Sequence, residues 1–139
     1  IKDSFYDSLD ADFSNLTIKN IFVEGSKNDC LDFSFGDYQI ENAELTLCGD
    51  KGISVGEVSS VKIIETKIDN SKVGVATKDF AETKIENIQL NKVDTCYQVY
   101  NKKTEFAGGY LKINKSSCKN NFQNYQVDKR SKIEINNEL

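Results

Sequence analysis

Leu9, Leu31, Ile53, Val75 and Tyr97 follow one another at steps of 22 residues, and Tyr125 comes 28 later. Two positions further on, Ala11, Phe33, Val55, Thr77, Val99 and Val127 keep the same rhythm. A second column, Ile18, Ile40, Ile63, Ile85, Ile113 and Ile135, recurs at steps of 22, 23, 22, 28 and 22, and a third runs through Val23, Leu45, Ile68, Leu90 and Cys118. A period of this length held over six units marks an array in which each unit buries its apolar face against its neighbours.

Within a unit apolar and polar residues alternate, as in Leu9-Asp10-Ala11, Ile53-Ser54-Val55 and Lys132-Ile133-Glu134-Ile135. The local period is therefore two, which means short strands and not helices. Three such strands per unit, joined by turns of Asn, Asp, Ser, Lys and Gly, keep so regular a step only if each unit is one coil stacked on the last. Equivalent strands then pair in parallel about 4.8 Å apart, and six rungs make a rod of roughly 25–30 Å. The expected fold is all-β, a single-stranded parallel β-helix or solenoid of about six rungs of ~22 residues, with 1–139 as one domain.

Gly49-Asp50-Lys51-Gly52-Ile53-Ser54-Val55-Gly56-Glu57, Val73-Gly74-Val75-Ala76-Thr77-Lys78-Asp79 and the Ile-x-Asn pairs Ile18/Asn20, Ile40/Asn42, Ile85/Asn87 and Ile135/Asn137 carry a family resemblance. On these the chain resembles the right-handed parallel β-helix repeat proteins, the pectate-lyase-like superfamily of polysaccharide-active enzymes, phage tailspikes and surface proteins. Right-handedness is what the resemblance implies, as is a bacterial-type, surface-associated parent protein. Such motifs speak for fold and say little of activity.

Composition narrows the function. The chain is 38% hydrophobic and 29% charged, a globular balance, and has no apolar run of the ~20 residues that a membrane helix needs. A net charge of −4 with scattered Lys and Arg argues against a nucleic-acid partner. There is no His, Met, Trp or Pro, which removes the commonest general base and transition-metal ligand. A chain starting at Ile1 and not Met is expected to be a piece of a larger protein. Four cysteines invite a disulfide framework. Cys30 and Cys96, however, share a column three rungs apart, about 14 Å, beyond the reach of a disulfide. Cys118 falls in a core column and Cys48 in a turn without an obvious partner, so four free thiols are expected; that leaves the compartment open, with an extracellular or cell-surface place favoured.

Two places stand out as candidate sites. Between Val99 and Ile113 the turn spans fourteen positions, where Val55 to Ile63, Thr77 to Ile85 and Val127 to Ile135 span eight. Six residues are thus inserted within the stretch that offers Tyr100, Lys102, Lys103, Glu105, Phe106 and Tyr110. Insertions in solenoids protrude from one face and often carry recognition, and these side chains can stack on a sugar and bond its hydroxyls or a uronate carboxylate. The ordinary alternative is a packed loop covering a rung edge. Phe13 and Phe35, at a strand-to-turn boundary, matter for binding only if exposed.

The second place is the outward side of the first strand, where Asp10 and Asp32 share a column and Asp12 stands two residues beyond Asp10. Carboxylates about 5 Å apart on adjacent rungs could chelate Ca²⁺, or could simply form a solvated acidic face. Polysaccharide lyases of the resembling family use Ca²⁺ on acids with a Lys or Arg base, which would give that role to Lys78 on this side. No catalytic signature of any other type is present, so the expectation is a non-catalytic binding or structural module that contacts glycan through the inserted loop. Polysaccharide lyase or hydrolase-like activity is the alternative, and end-to-end self-association, as a spacer or assembly module, is a third.

Overall fold

A computed structural model describes residues 1–139. It has ten strands: β1 (Lys2–Ser4), β2 (Leu9–Asp12), β3 (Asn15–Ser26), β4 (Leu31–Ser34), β5 (Asp37–Val55), β6 (Ser60–Lys78), β7 (Glu82–Tyr100), β8 (Tyr110–Lys119), β9 (Gln123–Val127) and β10 (Lys132–Glu138). Every pairing is parallel, in the order β1-β3-β5-β6-β7-β8-β10, with β2 on β4, β4 on β5 and β9 on β7. Each strand lies on its own equivalent one coil away, so the chain is a parallel β-solenoid of about six turns.

The sequence columns are the ladder. Leu9 pairs with Leu31, Leu31 with Ile53, Ile53 with Val75, Val75 with Tyr97 and Tyr97 with Tyr125. Ile18, Ile40, Ile63, Ile85, Ile113 and Ile135 pair in the same unbroken way. Stacking like on like buries a core of 26 residues, with Phe33, Ile40, Ile53, Ile63 and Ile113 fully shielded. At about 25 cal/mol per Å² of apolar surface, such a column is the main source of stability. Tyr97 is core as expected, but its neighbour Tyr125 is 38% exposed because it belongs to the last rung. Part of the Asn column is a hydrogen-bonded ladder: Asn42 Nδ2 donates to Asn20 Oδ1 at 3.3 Å, and Asn87 Nδ2 to both carboxylate oxygens of Glu65 at 2.9 and 3.0 Å.

Two lines of corners turn the coil through left-handed backbone. One runs through Leu47, Asn70, Lys92 and Asn120 (φ 53–65°), the other through Phe13, Phe35, Val58, Asp79 and Phe80 (φ 46–63°). Asn and Asp tolerate that region, whereas a bulky Phe there is a true outlier.

The cysteines overturn the free-thiol expectation. All four are paired, Cys30 with Cys48 and Cys96 with Cys118, with Cα separations of 5.3 and 6.4 Å. Comparing Cys30 with Cys96 tested only partners along one column. The bonds run across a corner of the coil, between one strand and the next, where Cα atoms come within disulfide range.

Candidate functional site

The outward side of the first strand in each rung ought to be wet, yet Ser54 and Ala76 are completely buried and Lys78 is 8% exposed. Lys78 itself provides much of the cover. Its side chain lies back over the preceding rung, where Gly56 leaves a slot: a Cβ at Gly56 would stand 3.0 Å from Lys78 Cε. The Lys78 ammonium donates to Ser54 Oγ at 3.0 Å, and Ser54 is paired in register with Asp32 one rung back. Three successive rungs thus contribute Asp32, Ser54 and Lys78 to one polar line. Burial pushes the Asp32 carboxyl above the usual range, with the Ser54 hydroxyl and the Lys78 charge working against it. Asp10, paired in register with Asp32, is raised by partial burial first and then by the charges of Asp12, Asp32 and Asp7.

Beside this line sits Glu57, 8% exposed. Lys103 from the inserted loop reaches it with Nζ–Oε1 at 2.7 Å, and Ser34 Oγ donates to its other oxygen at 3.0 Å. Burial alone would raise the Glu57 carboxyl, but the hydrogen bonds from Lys103 and Ser34 outweigh it and hold it below its ordinary value. Tyr100, half-buried and paired with Lys78 on the adjacent strand, is raised chiefly by burial and feels Lys51, Asp79, Asp50 and Asp29.

An aromatic ridge borders the same face. The left-handed corner turns Phe13 and Phe35 outward, where their rings stack in parallel with centroids 4.6 Å apart at 3°. Phe13 is 76% exposed. Phe106 leans in from the inserted loop, 6.5 Å from Phe35 and nearly edge-on at 65°. The stacked rings cover each other's inner faces, so the ridge presents ring edges and the outer face of Phe13 beside a strip of donors and acceptors.

Of the six residues expected in the loop site, Tyr100, Lys103 and Phe106 reach this face. Lys102 and Glu105 are exposed and make no ion pair. Tyr110 belongs to a different strip: its hydroxyl donates to Glu134 at 2.7 Å and the Lys132 ammonium lies 5.6 Å from its ring. Of the three acids expected to hold Ca²⁺, Asp10 and Asp32 stand side by side in register while exposed Asp12 pairs with Ser34. No group of three or more His, Cys, Asp or Glu side chains in the chain is clustered closely enough to hold a metal ion. Sequence reasoning missed Glu57, Gly56 and Asp79. Phe13, Phe35, Glu57 and Asp79 follow at steps of 22, so one corner column was there to be read, but its members share no chemistry.

Compared with protein-family models, with curated proteins and with solved structures, the chain matches none.

Proposed function

We propose that the chain is a non-catalytic binding module that recognises glycan on the face bounded by Phe13, Phe35 and Phe106. The parallel pair of exposed Phe13 and partly exposed Phe35, extended by Phe106 from the insertion, is the observation that carries this reading. The outer face of Phe13 offers a stacking surface for the apolar face of a sugar ring, and the edges of Phe35 and Phe106 extend that apolar platform. The adjacent Asp32, Glu57, Lys78 and Lys103 supply the acceptors and donors that fix hydroxyls, an apolar platform with a few placed polar groups. Two disulfides fit an oxidising compartment, which favours an extracellular or cell-surface location. A place among the right-handed, pectate-lyase-like β-helix proteins is part of the same proposal and rests on the quoted repeat motifs.

The test is a glycan-array screen of the wild-type domain beside Phe13→Ala, Phe35→Ala and Phe106→Ala, with Tyr110→Ala as the control away from the ridge. Binding that is lost in the ridge variants and kept in Tyr110→Ala supports the reading. Absence of wild-type binding to every glycan, or binding indifferent to the ridge, overturns it.

A second reading, a polysaccharide lyase or hydrolase-like activity, has Lys78 behind it, an ammonium pressed against Ser54 with Asp32 on the far side. Ultraviolet absorbance from new unsaturated ends on acidic polysaccharides tests the lyase form, and silence across such polymers retires it.

A further inference from the structure

Asp79 is fully buried at the corner between β6 and β7, and no Lys, Arg or amino terminus lies within ion-pair distance of it. Buried charges in proteins are paired or coordinate metals, because an isolated one is too costly to remove from water. One carboxylate oxygen is well occupied: Asp79 Oδ1 accepts the backbone N–H groups of Lys102 and Lys103 at 2.7 and 2.8 Å. The other, Oδ2, is buried with no partner at all. A buried orphan of this type asks for a water or an ion.

Other oxygens converge on the neighbouring Asn101 side chain. Asn101 Nδ2 has four of them around it: Lys103 O at 2.8 Å, Phe106 O at 3.0 Å, Ala107 O at 3.1 Å and Asp79 Oδ1 at 3.2 Å. Three of the four have donors of their own, the Lys102 and Lys103 amides on Asp79 Oδ1, the Phe106 N–H on Lys103 O at 3.1 Å and the Phe80 N–H on Ala107 O at 2.9 Å, and each carbonyl keeps a second lone pair for another partner. The inserted residues thus gather three backbone carbonyls and one carboxylate oxygen around a single point, which the Asn101 amide nitrogen fills.

We infer that Asp79 and the carbonyls of Lys103, Phe106 and Ala107 form a binding site for a hard divalent cation of the Ca²⁺ type. Such an ion takes six to eight oxygens at about 2.3–2.6 Å in adaptable geometry, whereas Mg²⁺ demands a tighter octahedron at about 2.0–2.1 Å. The ion takes the point that Asn101 Nδ2 fills, Asp79 supplies one or both oxygens, the loop supplies three carbonyls, and water completes the shell. Asn101 swings out to admit it and releases the exposed Arg130, whose Nη1 now donates to Asn101 Oδ1 at 2.8 Å. The cage closes by a few tenths of an ångström around the ion. Because Lys103 and Phe106 belong to the same loop, the ion would set the positions they take against Glu57 and Phe35. The inference stands apart from the glycan reading and uses none of Asp10, Asp12 or Asp32.

Trypsin offers a direct test, since Lys102 and Lys103 lie in the loop. Calcium-stripped protein is digested with CaCl₂, with MgCl₂ or with chelator, and CaCl₂ is titrated by calorimetry. At ten times Kd, binding that closes the loop slows cleavage after these lysines about tenfold, and Ca²⁺ does this where Mg²⁺ does not. Asp79→Asn, which keeps the Oδ1 acceptor, loses both the protection and the heat, while Asp10→Asn with Asp32→Asn keeps them. No heat and no protection in wild type up to about 10 mM Ca²⁺, beyond the weakest extracellular calcium modules, overturns the inference. Loss of binding in the Asp10/Asp32 variant overturns it equally, by placing the ion on the acidic column.

Discussion

Cys118 stands 22 residues after Cys96 and is bonded to it across a corner of the coil, in a place where the two preceding rungs set a glycine against a large aliphatic. At Gly52 an added Cβ would meet Ile68 Cδ1 at 2.6 Å, and at Gly74 it would meet Leu90 Cδ1 at 2.8 Å. Ile68 and Leu90 precede Cys118 in its own column. Where that column shrinks from Leu to Cys, the facing position grows from Gly to Cys, and the space that packing fills elsewhere is filled by a covalent bond.

Reduction should therefore cost the solenoid measurable stability. The bonds close loops with sequence separations of 18 and 22 residues, each corresponding to about 3 kcal/mol in the chain-entropy account. Guanidinium unfolding with and without reductant, followed by circular dichroism, should show a clear drop in midpoint. The double variant Cys96→Ala/Cys118→Ala should reproduce about half of it. A midpoint that ignores reductant would mean that these thiols are not bonded.

Two glycines on neighbouring rungs, Gly56 and Gly74, should behave in opposite ways. At Gly74 a methyl would lie 2.5 Å from the Cys96 carbonyl oxygen, a backbone atom fixed by the ladder, so Gly74→Ala is expected to cost about 2–4 kcal/mol. At Gly56 the nearest atom is the flexible end of Lys78 at 3.0 Å, so Gly56→Ala should cost less than about 1 kcal/mol while lifting the ammonium away from Ser54. Denaturant midpoints of the two variants check the contrast, and equal losses would contradict it.

The same residues mark how far the sequence could be read. The columns through Leu9 and Ile18 were legible because parallel stacking turns a linear period directly into contacts. The disulfides were not, because a period orders residues along the rod axis and is silent about what faces what across the coil. The Gly52/Ile68 and Gly74/Leu90 exchange was the available signal. The insertion's length was legible too, but the destination of its side chains was not. Asp79, by accepting the Lys102 and Lys103 amides, directs the loop so that Lys103 and Phe106 turn to the Glu57 face while Tyr110 resumes the ladder beside Glu82. The Phe13–Phe35 ridge depends on left-handed backbone at phenylalanines, which no turn propensity anticipates.

Stability should fall as pH rises through weak acidity, and Asp29 is the reason. It is 4% exposed, and burial raises its carboxyl from 3.8 to about 6, even with Lys51 Nζ 3.6 Å away and the Lys51 N–H bonded to its Oδ1 at 3.0 Å; Asp32 and Asp50 push in the same direction as burial. With the folded value above the unfolded one, the native state holds the extra proton between these limits. Its contribution is complete below about pH 4 and lost as pH passes about 6, at most about 3 kcal/mol. Asp32 and Asp10 shift in the same direction and add to the slope, whereas Glu57, held below its ordinary 4.5, works the other way only around and below that value. Urea unfolding between about pH 5 and 7 follows the decline, and comparison with Asp29→Asn separates the Asp29 contribution from the rest. In Asp29→Asn the acceptor for the Lys51 amide is retained and the titrating proton removed, so the decline should flatten. An unchanged slope in that variant would assign the pH dependence to other groups.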